Sequence, residues 1–225
     1  VALMDDLLAG LRGEQWQAPV ARHGTVEGLL EHLTANDAAI ARFVGAPAAP
    51  AAGASPHRRW REQAGALLER VSAGSEVLLG VEVALAGARP ARAPLRQALV
   101  QRTFETWTHA DDIRAATGRS RAAPRAAHVH QIAEFALALL PRALKGPRRA
   151  VSATVVLTGT GGGTWTIPLS PASDHVAVLL SAEAVDFCRL VAGRWPPEEF
   201  PYAAEGEPGL ARDLVRAAAT LGCDR

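Results

Sequence analysis

Apolar residues recur at helical spacing through the N-terminal part of the chain. A period of about 3.6 residues is typical of helices that bury one face. It predicts helices at about 1–12, 25–44, 57–78, 94–117 and 124–143. The second helix is the best marked, because Thr25 can cap its first turn and Gly45 supplies a stop signal. An Ala/Pro-rich loop is expected at 46–56, whereas 79–94 gives no clear pattern. We expect the long helices to form an antiparallel four-helix bundle.

The pattern changes after Gly146 and Pro147, where short β-branched runs replace the helical spacing. The sequence predicts strands at 151–158, 164–168 and 174–180, and helices at about 182–193 and 208–221. The glycine-rich run at 159–163 joins two strands and has no lysine after it, which favours a tight turn over a phosphate-binding loop. The expected fold class is therefore α+β. A helical bundle at 1–146 precedes a small α+β domain with an antiparallel sheet at 147–225.

Composition and charge are those of an ordinary globular protein. The chain has 225 residues, 48% of them hydrophobic, and a net charge of +1. This charge balance gives no strong attraction to nucleic acid or to a membrane surface, and no apolar run reaches the roughly 20 residues that span a bilayer. We expect a cytoplasmic monomer or homodimer that binds neither nucleic acid nor a membrane. Cys188 and Cys223 lack metal or redox spacing, and Cys188 is expected in a buried helix.

The run 102–114 carries the strongest chemical signal. Glu105 and His109 are four positions apart, so on a helix they lie one turn apart on one face. Arg102 and Asp112 fall on the same quarter of the helix. An ionisable stripe is costly to bury unless it is paired or bound to metal. The pattern therefore indicates a metal site, with a solvated surface pair as the alternative.

His32 is the best candidate for a third ligand. It lies in the helix predicted at 25–44, beside the apolar stripe rather than opposite it. A lone histidine at such a position is frequently a hydrogen-bonded core residue, and that interpretation stays open.

Several stretches resemble a known family. They are Leu-Leu-Ala-Gly-Leu at 7–11, Glu-Gln-Trp at 14–16, Glu-His-Leu at 31–33 and Arg-Thr-Phe-Glu-Thr-Trp-Thr-His-Ala-Asp-Asp-Ile-Arg at 102–114. Together they resemble the DinB-like, mycothiol-dependent maleylpyruvate isomerase family of actinobacteria. The stretch 185–194 is similar to the second domain of that family. One departure is Arg-His-Gly at 22–24, where members often have Pro-Gly-Trp in a loop that borders the site.

The resemblance implies a metal held by His32, Glu105 and His109. Such a ligand set leaves at least one position open, as catalytic zinc sites do, and zinc suits these donors. The resemblance also implies mycothiol as a thiol cosubstrate, held as its thiolate by the metal. The thiol would add to a small electrophilic substrate, giving either cis–trans isomerisation or thiol S-transfer.

Three further residues are candidates for roles at the site. Arg102 and Arg194 could bind substrate carboxylates, and Asp112 could orient His109 from behind. Surface ion pairs are the alternative for the two arginines, and capping or solvation is the alternative for Asp112. Two other functions stay open: a non-catalytic zinc-binding regulator, and a metal-dependent hydrolase that activates water.

Overall fold

Residues 1–47, 53–86, 91–145, 150–171, 173 and 175–222 are described by a computed structural model. The chain divides into two units, Val1–Ala123 and Pro124–Arg225. The first is mainly helical, and the second combines helices with a four-stranded sheet. The expected α+β fold class is confirmed. Within the described ranges, no helix has the length and apolar character needed to cross a membrane.

The first unit consists of helices joined by short hairpins. Its helices are α1 (Ala2–Ala9), α2 (Val26–Val44), α3 (Pro56–Ser72), α4 (Glu76–Leu79) and α5 (Leu95–Ala116), with a 3₁₀ helix at Gly13–Gln17. Its strands are β1 (Pro19–Val20), β2 (Gly24–Thr25), β3 (Glu82–Ala84) and β4 (Arg92–Pro94). β1 pairs with β2 and β3 with β4, both antiparallel. The β3–β4 hairpin lies in the segment 79–94, for which no clear pattern of apolar and polar positions was recognised.

The ends of α2 and α5 follow their capping residues. The Thr25 hydroxyl oxygen accepts a hydrogen bond from the Gly28 amide at 3.1 Å, and Gly45 ends the helix with a φ of 68°. At the other helix, Gly118 adopts a φ of 67° just after the C-terminus. These positive φ values strain a residue with a Cβ, which explains why glycine marks both ends. The expected boundaries of α2 and α5 are therefore confirmed to within a residue or two.

Two apolar clusters form the core of the first unit. α2 packs against α3 and α5, and α1 packs against the same two helices. The first cluster includes Leu29, Leu33 and Trp60, and the second includes Ile40 and Leu95. Burying each such side chain stabilises the fold by about 1.5–3 kcal/mol. Polar side chains are buried between the clusters along α2 and α5.

The second unit is built around a mixed sheet. Its elements are α6 (Ala126–Ala143), β5 (Ser152–Thr158), β6 (Gly163–Pro168), β7 (Val176–Glu183), α7 (Ala184–Val191), β8 (Ala203–Gly206) and α8 (Pro208–Ala218). The strand order is β6-β5-β7-β8. Two pairs are antiparallel, as expected, but β5 and β7 are parallel. The connection from β6 stays at one end of the sheet, so β7 starts where β5 starts and runs alongside it.

The division between the units differs from the expected one at 146/147. α6 was expected in the bundle, but it packs against α7, α8 and β6 and so belongs to the second unit. Its apolar residues, among them Ile132, Leu137 and Leu140, are buried there. Gly146 and Pro147, on which the expected boundary rests, lie outside the described residues.

Candidate metal centre

A charged group is buried between the two apolar clusters of the first unit. The Arg102 Nε donates to Asp37 Oδ1 at 2.8 Å, and its Nη1 donates to Glu105 Oε2 at 2.5 Å. All three residues are 4% exposed. Burial raises the pKa of Asp37, with the Arg102 charge opposing that rise. The two carboxylates raise the pKa of Arg102 despite its burial. The guanidinium therefore compensates two buried negative charges.

Asn36 connects this charged group to His32. Its Nδ2 donates to Glu105 Oε2 at 3.0 Å and lies 3.1 Å from His32 Nε2. The Glu105 Oε2 is itself 3.7 Å from His32 Nε2. We call Asn36, Asp37, Arg102 and Glu105 the polar layer. It brings Glu105 beside His32.

Three histidines meet next to the polar layer. His23, His32 and His109 each offer a ring nitrogen, and these atoms all lie within 4.8 Å of one another. The ring centroids are 4.6 Å apart for His23 and His32, 5.1 Å for His23 and His109, and 5.6 Å for His32 and His109. His109 is fully buried, whereas the other two are partly exposed. The histidine cluster thus draws on α2, α5 and the turn between β1 and β2.

Asp112 holds His109 from behind. The His109 Nδ1 lies 3.0 Å from Asp112 Oδ2, one helical turn further along α5. In this geometry the carboxylate accepts a hydrogen bond from the protonated Nδ1. The Nε2 atom then keeps its lone pair, which is available to the other two rings. The orienting role of Asp112 stays a prediction, for which this contact supplies the geometry.

Local backbone geometry places His23. Between β1 and β2 the chain turns through Arg22, whose φ of 68° is left-handed. The His23 carbonyl oxygen then lies against the first turn of α2. A Cβ added to Gly28 would stand 2.3 Å from that oxygen, which is a clash with backbone. Glycine at position 28 therefore allows His23 to approach the other two histidines.

The donors suit a divalent metal. In a tetrahedral zinc site with bonds of about 2.0–2.1 Å, the ligand atoms lie roughly 3.3 Å apart. Separations of up to 4.8 Å in the histidine cluster need only small rotations to reach that spacing. Neutral imidazole is also a preferred ligand for zinc. His23, His32 and His109 can therefore hold a metal ion.

The other expected site residues have different surroundings. Glu105 is adjacent to His32 but is not a member of the histidine cluster, and its Oε2 is engaged by Arg102 and Asn36. Arg102 is buried against two carboxylates of its own chain rather than facing solvent. Arg194 lies in the second unit, where its Nη1 donates to the Ala192 carbonyl at 2.5 Å. Its predicted role remains a prediction.

Sequence reasoning did not assign a role to His23. Its position on a turn outside any periodic segment gave no pattern to interpret. The one available signal was the departure at 22–24 in a loop expected to border the site. Only the hairpin register, with Pro19 opposite Thr25 and Val20 opposite Gly24, brings His23 back to α2.

Comparisons with known proteins support the fold. No family model and no curated protein sequence matches the chain. Two crystal structures of mycothiol-dependent maleylpyruvate isomerase match the structure of this chain, and one of them is of a histidine-to-alanine mutant. Each has a TM-score of 0.57 and 15% sequence identity, and covers 92% of this chain and 89% of the other. At this identity the likeness concerns the fold alone. The chain therefore has the fold of mycothiol-dependent maleylpyruvate isomerase.

Proposed function

We propose that this protein is a metal-dependent enzyme that uses a low-molecular-weight thiol, mycothiol in the first instance, on a small electrophilic substrate. The reaction is an isomerisation or a thiol S-transfer. The observation that carries the proposal is the position of His32, whose Nε2 lies 3.7 Å from Glu105 Oε2 and which has a ring nitrogen within 4.8 Å of one on His109, in a chain that has the isomerase fold. The thiol and the reaction class come from the crystal structures that share this fold.

The proposed protein ligands are His32, Glu105 and His109, with zinc as the expected metal. When bound, the metal would act as a Lewis acid that holds an incoming thiol as its thiolate. His32 and His109 supply neutral nitrogens, and Glu105 supplies a negative charge that balances the ion. These donors come from two packed helices, so their relative positions are fixed by the core on either side.

Arg102 and Asp112 are proposed as positioning residues. Arg102 fixes one oxygen of Glu105 and neutralises part of the polar layer. Asp112 sets the proton on His109 Nδ1, which orients the ring toward the histidine cluster. The burial of Arg102 argues against direct contact with a substrate carboxylate. Arg194 is retained as the proposed carboxylate-binding residue, because a guanidinium can donate two parallel hydrogen bonds to a carboxylate.

The deciding experiment measures turnover of maleylpyruvate with and without mycothiol. We expect thiol-dependent turnover in the metal-loaded wild type, and its loss in Glu105→Ala and His109→Ala. His128→Ala is a matched control, because His128 is an exposed histidine of α6 in the other unit. It should keep both its metal and its activity. Metal content by mass spectrometry should fall in the two site variants alone.

Three results would contradict the proposal. Turnover that needs no thiol would indicate the hydrolase. Full metal occupancy in His109→Ala would remove the proposed ligand set. Metal binding without thiol binding would favour a zinc-binding protein that is not an enzyme.

That second function has one observation in its favour, since His23 adds a fourth donor to the three proposed ligands and could close the site.

A further inference from the structure

We propose that His23 is a fourth, exchangeable ligand, which fills the coordination position that the thiol must enter. This inference rests on the proposed function, because it assumes a metal between His32, Glu105 and His109. His23 then acts as an internal competitor of the thiol. The centre is closed at rest and opens when the β1–β2 hairpin moves.

The position of His23 supports a ligand role. Its ring nitrogen is within 4.8 Å of a ring nitrogen on both His32 and His109. Its ring is tilted by 43° to that of His32 and stands at 90° to that of His109. Neither pair of rings is parallel, and the gathering of the ring nitrogens is what makes a shared metal ion feasible. Three imidazoles and one carboxylate make up a full tetrahedral set.

The surrounding backbone is built to bring His23 to this point. Arg22 adopts a left-handed φ of 68°, which is uncommon for a residue that has a Cβ. Gly28 leaves room for the His23 carbonyl, where any side chain would meet it at 2.3 Å. The left-handed turn at Arg22 and the missing side chain at Gly28 therefore coincide at the residues that place His23.

The same structure indicates why His23 is the ligand that exchanges. His109 is fully buried and is fixed by Asp112. Glu105 is 4% exposed and is held by two donors of the polar layer. His23, in contrast, lies on a turn whose neighbours Ala21, Arg22 and Gly24 are all exposed. The strands on either side of this turn have two residues each, and so short a pairing opens at a lower free-energy cost than the long helices that carry His32, Glu105 and His109.

Exchange at this position is a substitution of one ligand for another. The bond from the metal to the His23 nitrogen breaks, and a bond to the thiol sulfur forms. The thiol proton passes to solvent, since the ligand enters as thiolate. No oxidant or reductant is needed. A variant without His23 should therefore bind the metal less tightly but accept a thiol more readily.

The test uses cobalt-loaded full-length protein and 2-mercaptoethanol as the thiol probe. Cobalt in place of zinc reports its coordination through its visible absorption, and thiolate binding adds a charge-transfer band. We expect His23→Ala to weaken cobalt binding about tenfold or more. We expect its charge-transfer band to saturate at a thiol concentration lower by about tenfold, because the position is no longer occupied. His128→Ala should match the wild type in both measurements.

Gly28→Ala provides a second variant that keeps the histidine. The added methyl group should push the hairpin away, so this variant should also bind 2-mercaptoethanol more readily than the wild type. Circular dichroism confirms that each variant is folded. Identical cobalt spectra and thiol affinities in His23→Ala and the wild type would overturn this inference and leave the proposed function standing. A wild type that binds no cobalt would overturn both.

Discussion

At the scale of single residues, the candidate site is organised by what lies behind each ligand. His109 has Asp112, and Glu105 has Arg102 and Asn36. Such supporting contacts fix ring orientation and proton position before any metal arrives. Their removal should therefore affect metal affinity without removing a ligand.

Asp112→Ala tests this support. We expect metal affinity to fall by about 10- to 100-fold, because the His109 ring loses the acceptor that sets its Nδ1 proton. Asp112→Asn is the matched control, since an amide oxygen can still accept a hydrogen bond from His109 Nδ1. This variant should retain most of the metal affinity. Competition with a chromophoric chelator measures both values. Equal affinity in Asp112→Ala and the wild type would show that the contact has no bearing on metal binding.

Arg102→Met tests the buried charges. Removal of the cation leaves Asp37 and Glu105 buried without their charged partner, and such losses typically cost about 3–5 kcal/mol. The Asp37 pKa, already raised from 3.8 by burial, should rise further, because the Arg102 charge was lowering it. A raised folded-state pKa means that the folded variant binds this proton more tightly than the unfolded chain. Its stability should therefore fall as the pH rises above 3.8.

Urea unfolding of the metal-free protein measures this effect. We expect a larger loss of unfolding free energy at pH 7 than at pH 5. Arg58→Met is the control, because Arg58 pairs with Glu62 on an exposed face, where water screens the charges and the substitution should change stability little. The expectation fails if the two variants lose the same stability, or if the loss from Arg102→Met does not depend on pH.

At the scale of helices and strands, the sequence predicted what periodicity and capping can encode. α2 and α5 have both signals and were placed to within a residue or two. β8 was missed because all four of its residues are exposed, so no alternation of apolar and polar positions marks it. β7 was predicted, but its parallel pairing with β5 depends on the path of a connection that no local pattern specifies.

The candidate site divides in the same way. His32, Glu105 and His109 could be proposed from the sequence because they lie on periodic helices, where spacing translates into a common face. His23 could not, because a turn residue reaches the site only through the pairing of β1 with β2 and the space left by Gly28. The expectation that Arg102 contacts a substrate did not foresee Asp37, which is 65 positions away in the sequence. Long-range pairing of charges is a tertiary property.

The helix α7 offers a test of burial at the scale of an element. The Cys188 thiol is fully buried, donates to the Val129 carbonyl at 3.8 Å and has its pKa raised by burial to about 12. In a Cys223→Ser background, we expect no reaction with a thiol reagent at pH 8 until the second unit unfolds. Rapid labelling of the folded protein would show that α7 opens readily.

The same thiol should make stability depend on pH at alkaline values. Because the folded pKa is raised, the thiol's contribution is complete below its ordinary value of 9.0 and is lost as pH rises toward about 12. The expected slope is at most about 1.4 kcal/mol per pH unit. Comparison with Cys188→Ala in the same background isolates this slope, and a zero difference would contradict the burial of the thiol.

At the scale of the whole molecule, the position of α6 decides where the chain can be divided. α6 buries its apolar face against α7, α8 and β6. A fragment 124–225 should therefore fold alone, whereas 147–225 should expose that apolar surface and aggregate or remain unfolded. Circular dichroism and thermal melting of the two fragments measure this. A cooperative melt for 147–225 that equals that of 124–225 would restore the boundary at 146/147.

The polar layer also fixes the position of α2 along α5, because Asp37 of one helix pairs with Arg102 of the other. If either helix slid by one turn, about 5.4 Å, the Asp37 carboxylate or the Arg102 guanidinium would be set against an apolar cluster without its partner. Purely apolar helix faces penalise such slippage much less, because one leucine can replace another at little cost. We therefore expect the pair to contribute alignment more than stability. The alignment of His32 with His109 along the two helices then follows from a pair of charged residues that lies outside the histidine cluster.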